Sequence, residues 1–341
     1  MSGGRMSDGG ISAGGVEKTA RGEGPMFGRV ALLGAGLIGS SLAWATRARG
    51  LADHVAAHSR RTETRAKIDE LGFADSVHAD PGDAVEGADL VIFCVPVGAN
   101  AAVAEVVGPR LAAGAIVTDV GSVKQAVIRD IGPTLPEGVH FIPGHPVAGT
   151  EFSGPEAGFA DLFEQRWCIL TPPPGTHEDQ VERLVRFWQA LGSTVQIMDA
   201  AHHDKVLAIT SHLPHLIAYT IVGTATDLEE SERAEVVKFS AGGFRDFTRI
   251  AGSDPIMWRD VFLHNRESVL EMLQRFSEDL TALQRAIRWG EGDTLEGLFR
   301  RTREIRAGII DAHQAGSFDP REPERSGTTG PVPEKAGRPA E

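Results

Sequence analysis

Cysteine is scarce in this 341-residue chain, which has only Cys94 and Cys168, each inside an apolar, strand-like run. Thiols in such settings read as buried and reduced, so no disulfide framework is expected. Basic charge is also in deficit: 34 Lys and Arg stand against 47 Asp and Glu, for a net charge of −13. Nucleic acid and anionic membrane both need a basic footprint, so neither is expected as a general partner. An anionic small molecule is not excluded, because one local cluster of Arg, Lys or His suffices for it. Long hydrophobic runs are missing too. No secretory pattern follows the early charges, and no run approaches the roughly 18 residues of a membrane span. A soluble, cytoplasmic protein is the expectation. Residues 1–26, rich in Gly and Ser, and residues 317–341, rich in Pro, Gly, Glu and Arg, carry no periodicity and are expected to be disordered tails.

The remaining length allows two domains. Residues 28–33 form a short apolar strand that runs into Gly34-Ala35-Gly36-Leu37-Ile38-Gly39 and then a helix. This is G-x-G-x-x-G in its strand–turn–helix setting. Gly34 permits the tight turn, Gly36 lets the backbone approach a pyrophosphate, and Gly39 lets the helix, expected from Ser40 to about Arg49, pack on the strand; Leu37 and Ile38 complete the phosphate-binding turn. A dinucleotide cofactor follows. At the end of the second strand, residues 54–58, stand Ser59, Arg60 and Arg61, where NAD-binding folds usually place a carboxylate for the ribose 2′-OH. Two guanidinium groups suit a 2′-phosphate, which favours NADP over NAD; as plain surface charges they would leave either cofactor open.

Residues 88–96 read as a fully buried parallel strand that ends in Val95-Pro96 at the cofactor edge, and residues 115–120 as another, leading into Gly121-Ser122-Val123-Lys124. Ser122 can face the cofactor or substrate, or simply cap a helix. Residues 139–143 form a further strand that delivers His145 to the same edge, within Gly144-His145-Pro146-Val147-Ala148-Gly149-Thr150-Glu151. A histidine held by stiff backbone suits a general base. Two more strands, residues 167–171 and 194–198, flank a helix over 178–191. The expectation is an α/β Rossmann-type doubly wound parallel sheet over residues 27–200, followed by an all-α dimerisation domain over 201–316.

In that second domain residues 201–226 read as one long helix, kinked at Pro214. It carries Ser211-His212-Leu213-Pro214-His215, and His215 either faces a pocket or is satisfied in the core. Residues 239–251 mix Gly, aromatics, Arg245 and Arg249. Arg249 could grip a substrate carboxylate; alternatively, one of the two Arg joins an internal pair with Asp246. Residues 256–289 read as a continuous helix with an a/d seam of Val269, Leu273, Phe276, Leu280, Leu283 and Ile287, suited to a homodimer.

Taken together, Gly34–Gly39, Asp119–Lys124, Gly144–Glu151, Ser211–His215 and Phe244–Arg249 resemble the prephenate/arogenate dehydrogenase family of tyrosine biosynthesis over about residues 28–315. The resemblance implies a cyclohexadiene substrate with a 4-hydroxyl and two carboxylates. A base takes the hydroxyl proton while hydride leaves C4 for the nicotinamide, and loss of CO₂ makes the ring aromatic. It implies His145 as the base, with Ser122 positioning it. Arg249 would bind a carboxylate, His215 and Ser211 would line the pocket, and Thr150 and Glu151 would gate or orient. No mutase-like segment or regulatory domain is recognised, which suggests the single-function form. Tyrosine, which resembles the substrate, could share the site as a feedback inhibitor. Ser59-Arg60-Arg61 departs from the acidic residue of many members.

Other two-domain Rossmann reductases, of the β-hydroxyacid dehydrogenase or imine reductase type, are rivals that usually rely on a Lys; Lys205 and Lys238 sit in no such motif. A metal hydrolase using His202, His203, Asp204, His212 and His215 lacks an accompanying H-E-x-x-H, so no metal is expected. A Ser122–His145–Asp119 hydrolase lacks the G-x-S-x-G elbow. A non-enzymatic NAD(P)-sensing dimer would want a basic segment, and none is found.

Overall fold

The computed structural model describes residues 24–227, 235, 238 and 242–311. The expected tails lie outside these residues, except for 24–26, as do Phe239, Ser240 and Ala241. Strand β1 (Phe27–Leu33) leads to α1 (Leu37–Ala48), β2 (Ala52–His58) and α2 (Thr62–Leu71). The segment that follows contains β3 (Ser76–His78) and α3 (Pro81–Val85). Then come β4 (Leu90–Phe93), α4 (Asn100–Val107), β5 (Ile116–Asp119), α5 (Lys124–Ile131) and β6 (His140–Phe141). The six strands form one parallel sheet in the order β3-β2-β1-β4-β5-β6. This is the doubly wound order in which ligands bind at the carboxyl ends of β1 and β4.

Both faces of the sheet are dry, and β1 shows why its sequence has no polar alternation. Val30 and Leu32 pack on one side with Leu42, Ile68, Phe187 and Trp188, while Ala31 and Leu33 pack on the other with Val91, Phe93, Val127 and Ile131. Gly34 follows with φ +110. A Cβ on Gly39 would stand 2.1 Å from the Gly34 carbonyl oxygen, so helix and strand can approach only with glycine there.

His145 does not sit where a strand of this sheet ends. Gly144–Pro146 is a strand of its own, β7, antiparallel to β8 (Trp167–Leu170), which lies parallel to β9 (Thr194–Ile197) after helix α6 (Glu178–Ala190). The break is at Ile142-Pro143, where the chain leaves β6 and Pro143 instead accepts a bond from Thr171 N–H.

The helical region begins with α7 (Ala200–Leu207), capped by the Asp199 carboxylate on Ala201 and His202 N–H. A π-helical turn (Ala208–His212) joins it to α8 (Leu213–Thr226). The irregularity expected at Pro214 therefore comes as a bulge ahead of it: the wider turn absorbs the hydrogen bond that Pro214 cannot make. Helix α9 (Gly242–Thr248) follows. The predicted single helix over 256–289 is instead two, α10 (Pro255–His264) and α11 (Arg266–Trp289), broken at Asn265. A last helix, α12, covers Gly292–Asp311.

The chain forms two compact units, Met1–Met272 and Leu273–Glu341. The expected boundary near residue 200 falls inside the first, and Trp258 and Val261 of α10 complete the core on one sheet face. Residues Ala200–Thr226 also make a helical stretch long and apolar enough to cross a membrane by length and composition alone, with mean hydropathy 1.4, although the sequence has no unbroken apolar run of that length. Its buried His203, Asp204 and His212 bond to protein groups.

Gly39→Ala should destabilise the first unit by about 1–3 kcal/mol through overpacking and weaken dinucleotide binding. Urea unfolding and cofactor titration read both, and an unchanged midpoint would contradict the close approach.

Candidate active site

The glycine-rich loop opens α1 with Gly36 at the N-cap and no side chain capping the helix. A Cβ on Gly36 would meet nothing within 4 Å, so the helix N-terminus faces open space. Free N–H groups at an uncapped N-terminus fit a pyrophosphate. Val95 and Pro96 follow β4 beside this loop, and Gly34 packs against the Cys94–Val95 backbone. At the end of β2 the turn Ser59-Arg60-Arg61 is shaped from behind. Arg65 donates to the Ser59 and Arg60 carbonyls, each at 2.9 Å. Arg60 and Arg61 are left exposed, with no carboxylate in the turn.

His145 is carried by β7 and is only 7% exposed. Its backbone is set through Gly144, whose N–H donates to Asp119 Oδ1 at 3.1 Å and whose carbonyl accepts from Lys124 Nζ at 2.6 Å. Lys124 also pairs with Asp119, and both side chains are fully buried. Burial lowers the lysine pKa and the carboxylate opposes that shift. The ion pair thus holds both backbone polar groups of Gly144, one on each of two successive peptides. Gly144 is closely packed: a Cβ would stand 3.1 Å from the Asp119 carbonyl oxygen and 3.2 Å from Leu170 and Thr118, so these neighbours would have to give by a few tenths of an ångström.

The side chain of His145 meets residues that the sequence reading left in a discarded metal set. His145 Nδ1 lies 2.9 Å from His203 Nε2, and His203 Nδ1 lies 2.8 Å from Asp204 Oδ1. The Asp204 carboxylate also accepts the N–H groups of Lys124 at 2.7 Å and Gln125 at 2.9 Å. Helix α5 has no cap of its own at Val123, so a carboxylate from α7 supplies it. Asn265 Nδ2 donates to the Asp204 backbone carbonyl at 2.8 Å and to His212 Nδ1 at 3.0 Å, which places the His212 proton on Nε2. Adjacent His and Asp at the start of a helix were the sequence signal. What they touch lies 58 and 80 residues away, so the local pattern did not disclose the contact.

No hydrogen bond joins Ser122 to His145 among the described residues; His203 occupies Nδ1 instead. Arg249 does not pair with Asp246 but with Glu151, at 3.3 Å, and remains more than half exposed. Thr150 Oγ1 accepts from Phe152 N–H at 3.2 Å, ordering the turn that presents Glu151. His215 Nδ1 donates to the Ser211 carbonyl at 2.8 Å, and its ring stacks on Trp258 with centroids 3.6 Å apart. Arg249 also acts on His215 through its charge. The structure therefore groups Glu151 with Arg249, and His215 with Ser211 and Trp258.

Burial keeps the imidazoles neutral. Desolvation takes His145 well below its usual value, and the charges of His203, Lys124 and His212 add to the shift. His203 is lowered by burial against an opposing bond to Asp204, and His212 is lowered by burial to about 4. Burial alone would raise the Asp204 carboxyl, but the bonds from His203, Lys124 and Gln125 outweigh it and hold Asp204 below the ordinary carboxylate range.

A parallel dinucleotide sheet whose ligand edge holds a neutral, buried histidine fits the class of nicotinamide-dependent dehydrogenases. The nucleotide-binding domain model of prephenate dehydrogenase matches residues 42–197, and its dimerization domain model matches residues 199–301. The cyclohexadienyl dehydrogenase of Zymomonas mobilis is 40% identical over 288 residues, covering 84% of this chain and 98% of that protein. The prephenate dehydrogenase of Bacillus subtilis is 31% identical, covering 82% and 76%. Among solved structures, prephenate dehydrogenase from Aquifex aeolicus, in complex with hydroxyphenyl propionate and NAD⁺, aligns with a TM-score of 0.76 at 34% identity, covering 83% of this chain and 98% of that one. Arogenate dehydrogenase from Synechocystis aligns with a TM-score of 0.69 at 28% identity, covering 82% and 99%. The chain belongs to the prephenate/arogenate dehydrogenase family and is an NAD(P)-dependent oxidoreductase.

The buried imidazoles have a stability consequence. A histidine whose folded pKa is depressed stabilises the fold above its unfolded pKa of about 6.5, and that stability is lost as pH falls toward the folded value. His58, His145, His203, His212 and His215 are all shifted this way, chiefly by burial. Stability should therefore fall from pH 6.5 toward pH 4, by roughly 3 kcal/mol from His212 alone. Chemical denaturation across that range measures it; a flat profile would contradict buried neutral histidines.

Proposed function

We propose that this enzyme converts prephenate to 4-hydroxyphenylpyruvate, or arogenate to tyrosine, by NAD(P)-dependent oxidative decarboxylation, with His145 as the general base. One observation carries the reading: a neutral, buried imidazole whose Nδ1 is already engaged by His203, so that Nε2 is its remaining nitrogen. A neutral imidazole accepts a hydroxyl proton, whereas an imidazolium cannot. When bound, the nicotinamide supplies the hydride acceptor. Gly34, Gly36, Leu37, Ile38 and Gly39 would hold its pyrophosphate at the open N-terminus of α1, with Val95 and Pro96 along the same edge.

Arg249 is the candidate for a substrate carboxylate. Its present partner is itself a carboxylate, Glu151, in a half-exposed pair of little intrinsic strength. A substrate carboxylate would exchange with Glu151, and Thr150 would orient that exchange. His215, with Nδ1 held by the Ser211 carbonyl, would offer Nε2 as an acceptor to the side chain or ring, and Ser122 would lie at the strand end beside His145. Tyrosine, sharing the ring and side chain, would compete here.

The turn Ser59-Arg60-Arg61 supports NADP over NAD, because it offers two exposed guanidinium groups at the ribose position and nothing that repels a phosphate. Homodimerisation through the helical region is supported by apolar side chains left exposed in the single chain, including Leu263 at 63%, Ile287 at 68% and Trp289 at 72%. The net charge of −13 disfavours an anionic membrane or nucleic acid as a partner.

Four assays, prephenate or arogenate with NAD or NADP, followed by cofactor reduction, test the activity; silence in all four rejects it. His145→Asn should lower kcat by roughly 10²–10⁴-fold with cofactor affinity retained, and unchanged turnover would clear His145. Arg60→Ala should weaken NADP but spare NAD. Equal loss of both would remove the 2′-phosphate contact.

A further inference from the structure

His145 has two ring nitrogens, and only one can be the base. The contacts behind it decide which. Asp204 Oδ1 accepts the Lys124 N–H at 2.7 Å and Oδ2 accepts the Gln125 N–H at 2.9 Å. Backbone N–H groups only donate, so both carboxylate oxygens are held as acceptors and His203 Nδ1 must carry the proton it shares with Oδ1. On a neutral His203 ring the other nitrogen, Nε2, is then an acceptor. It lies 2.9 Å from His145 Nδ1, which must donate to it. The single proton of a neutral His145 is thereby fixed on Nδ1, and Nε2 keeps its lone pair.

We infer that His203 and Asp204 are positioning residues, a carboxylate–imidazole relay that sets the tautomer of His145 and selects Nε2 as the basic nitrogen. The inference rests on His145 being the proton acceptor. The groups facing the two rings agree with it. Lys124 of α5 opposes a cation on either ring, His212 of the π turn is held neutral by burial, and Cys168 of β8 has its thiol pushed up by burial. Asp119 of β5 is engaged by Lys124 and by the N–H groups of Gly121 and Gly144. The remaining negative charge is Asp204, at the far end of the relay. When His145 takes the substrate proton at Nε2, its Nδ1–H already points at His203 Nε2, and the new positive charge finds an oriented acceptor backed by that carboxylate. The same carboxylate caps α5, directly after the Gly121-Ser122 turn, so one group orders both parts of the reacting edge.

The test has a spectroscopic arm and a kinetic arm. In the full chain at neutral pH, ¹⁵N-resolved NMR of the imidazole nitrogens should show His145 with a protonated Nδ1 and a bare Nε2. Asp204→Asn should keep this tautomer but remove the charge behind it, because an amide oxygen in the Oδ1 position still accepts from Lys124 N–H and His203 Nδ1 and only the Gln125 bond is lost. His203→Phe, which removes the acceptor, should free the His145 proton to either nitrogen. Kinetically, Asp204→Asn should lower kcat by roughly 10²-fold or more while KM and the cofactor dissociation constant stay within about threefold, as expected when the charge behind the base is lost. His203→Phe should do the same, and His203→Gln, whose amide oxygen can accept from Nδ1, should recover about tenfold. A wild-type His145 protonated at Nε2 would overturn the inference, as would equal losses for His203→Phe and His203→Gln, or losses confined to KM. Should Asp204→Asn fail to fold, the wild-type spectrum decides. Should the chain lack the proposed activity, the functional reading fails, and the spectrum still reports the tautomer.

Discussion

The Asp204 carboxylate is the constraint on which the reacting edge depends. It is fully buried, it comes from the first helix after the sheet domain, and it accepts three charge-assisted bonds. Two of these cap α5, a helix that carries no cap in its own sequence; the third orients His203 against His145. A buried charge of this kind is tolerable only while every partner is present, and removing one typically costs about 3–5 kcal/mol. The junction between sheet and helices is therefore fixed at the place where the base must be fixed. Asn265, at the break between α10 and α11, ties the Asp204 backbone to His212 and extends the same network to the next helix pair.

A second buried pair acts from the sheet side. Lys124 and Asp119 hold the N–H and carbonyl of Gly144 between them, so the backbone leading into His145 is fixed on both sides of Gly144. Lys124 adds a positive charge that discourages protonation of the imidazole beside it. Neutrality of the base thus comes from burial first and from local charge second. The arrangement makes a proton acceptor competent below the usual histidine range, at the cost of stability in acid.

What could be read in the sequence followed from distance along the chain. The glycine turn, its strand and its helix are contiguous, so Gly34, Gly36 and Gly39 were legible, as was the parallel sheet from its apolar runs. The motif around His145 was legible as chemistry but not as structure. A three-residue strand antiparallel to β8 has too little pattern to show that it leaves the main sheet. The break at Asn265 was hidden because apolar spacing on α10 and α11 continues in phase across it. His203 and Asp204 were visible as residue types, considered only as metal ligands and set aside, because their partners are a histidine and a helix N-terminus from distant segments. The Arg249–Glu151 pair was hidden for the same reason: Asp246 is close in sequence, while Glu151 is close in space.

The central claim is that His145 works as a neutral base because the protein buries it. The pH dependence of kcat/KM, measured with the cofactor saturating, tests this most directly, since its acid limb reports the essential base of the enzyme before substrate binds. Activity should rise with pH with a midpoint below about 6.5, the unperturbed histidine value, because burial depresses the His145 pKa. A midpoint at or above that value would mean that the base is solvated or is another group.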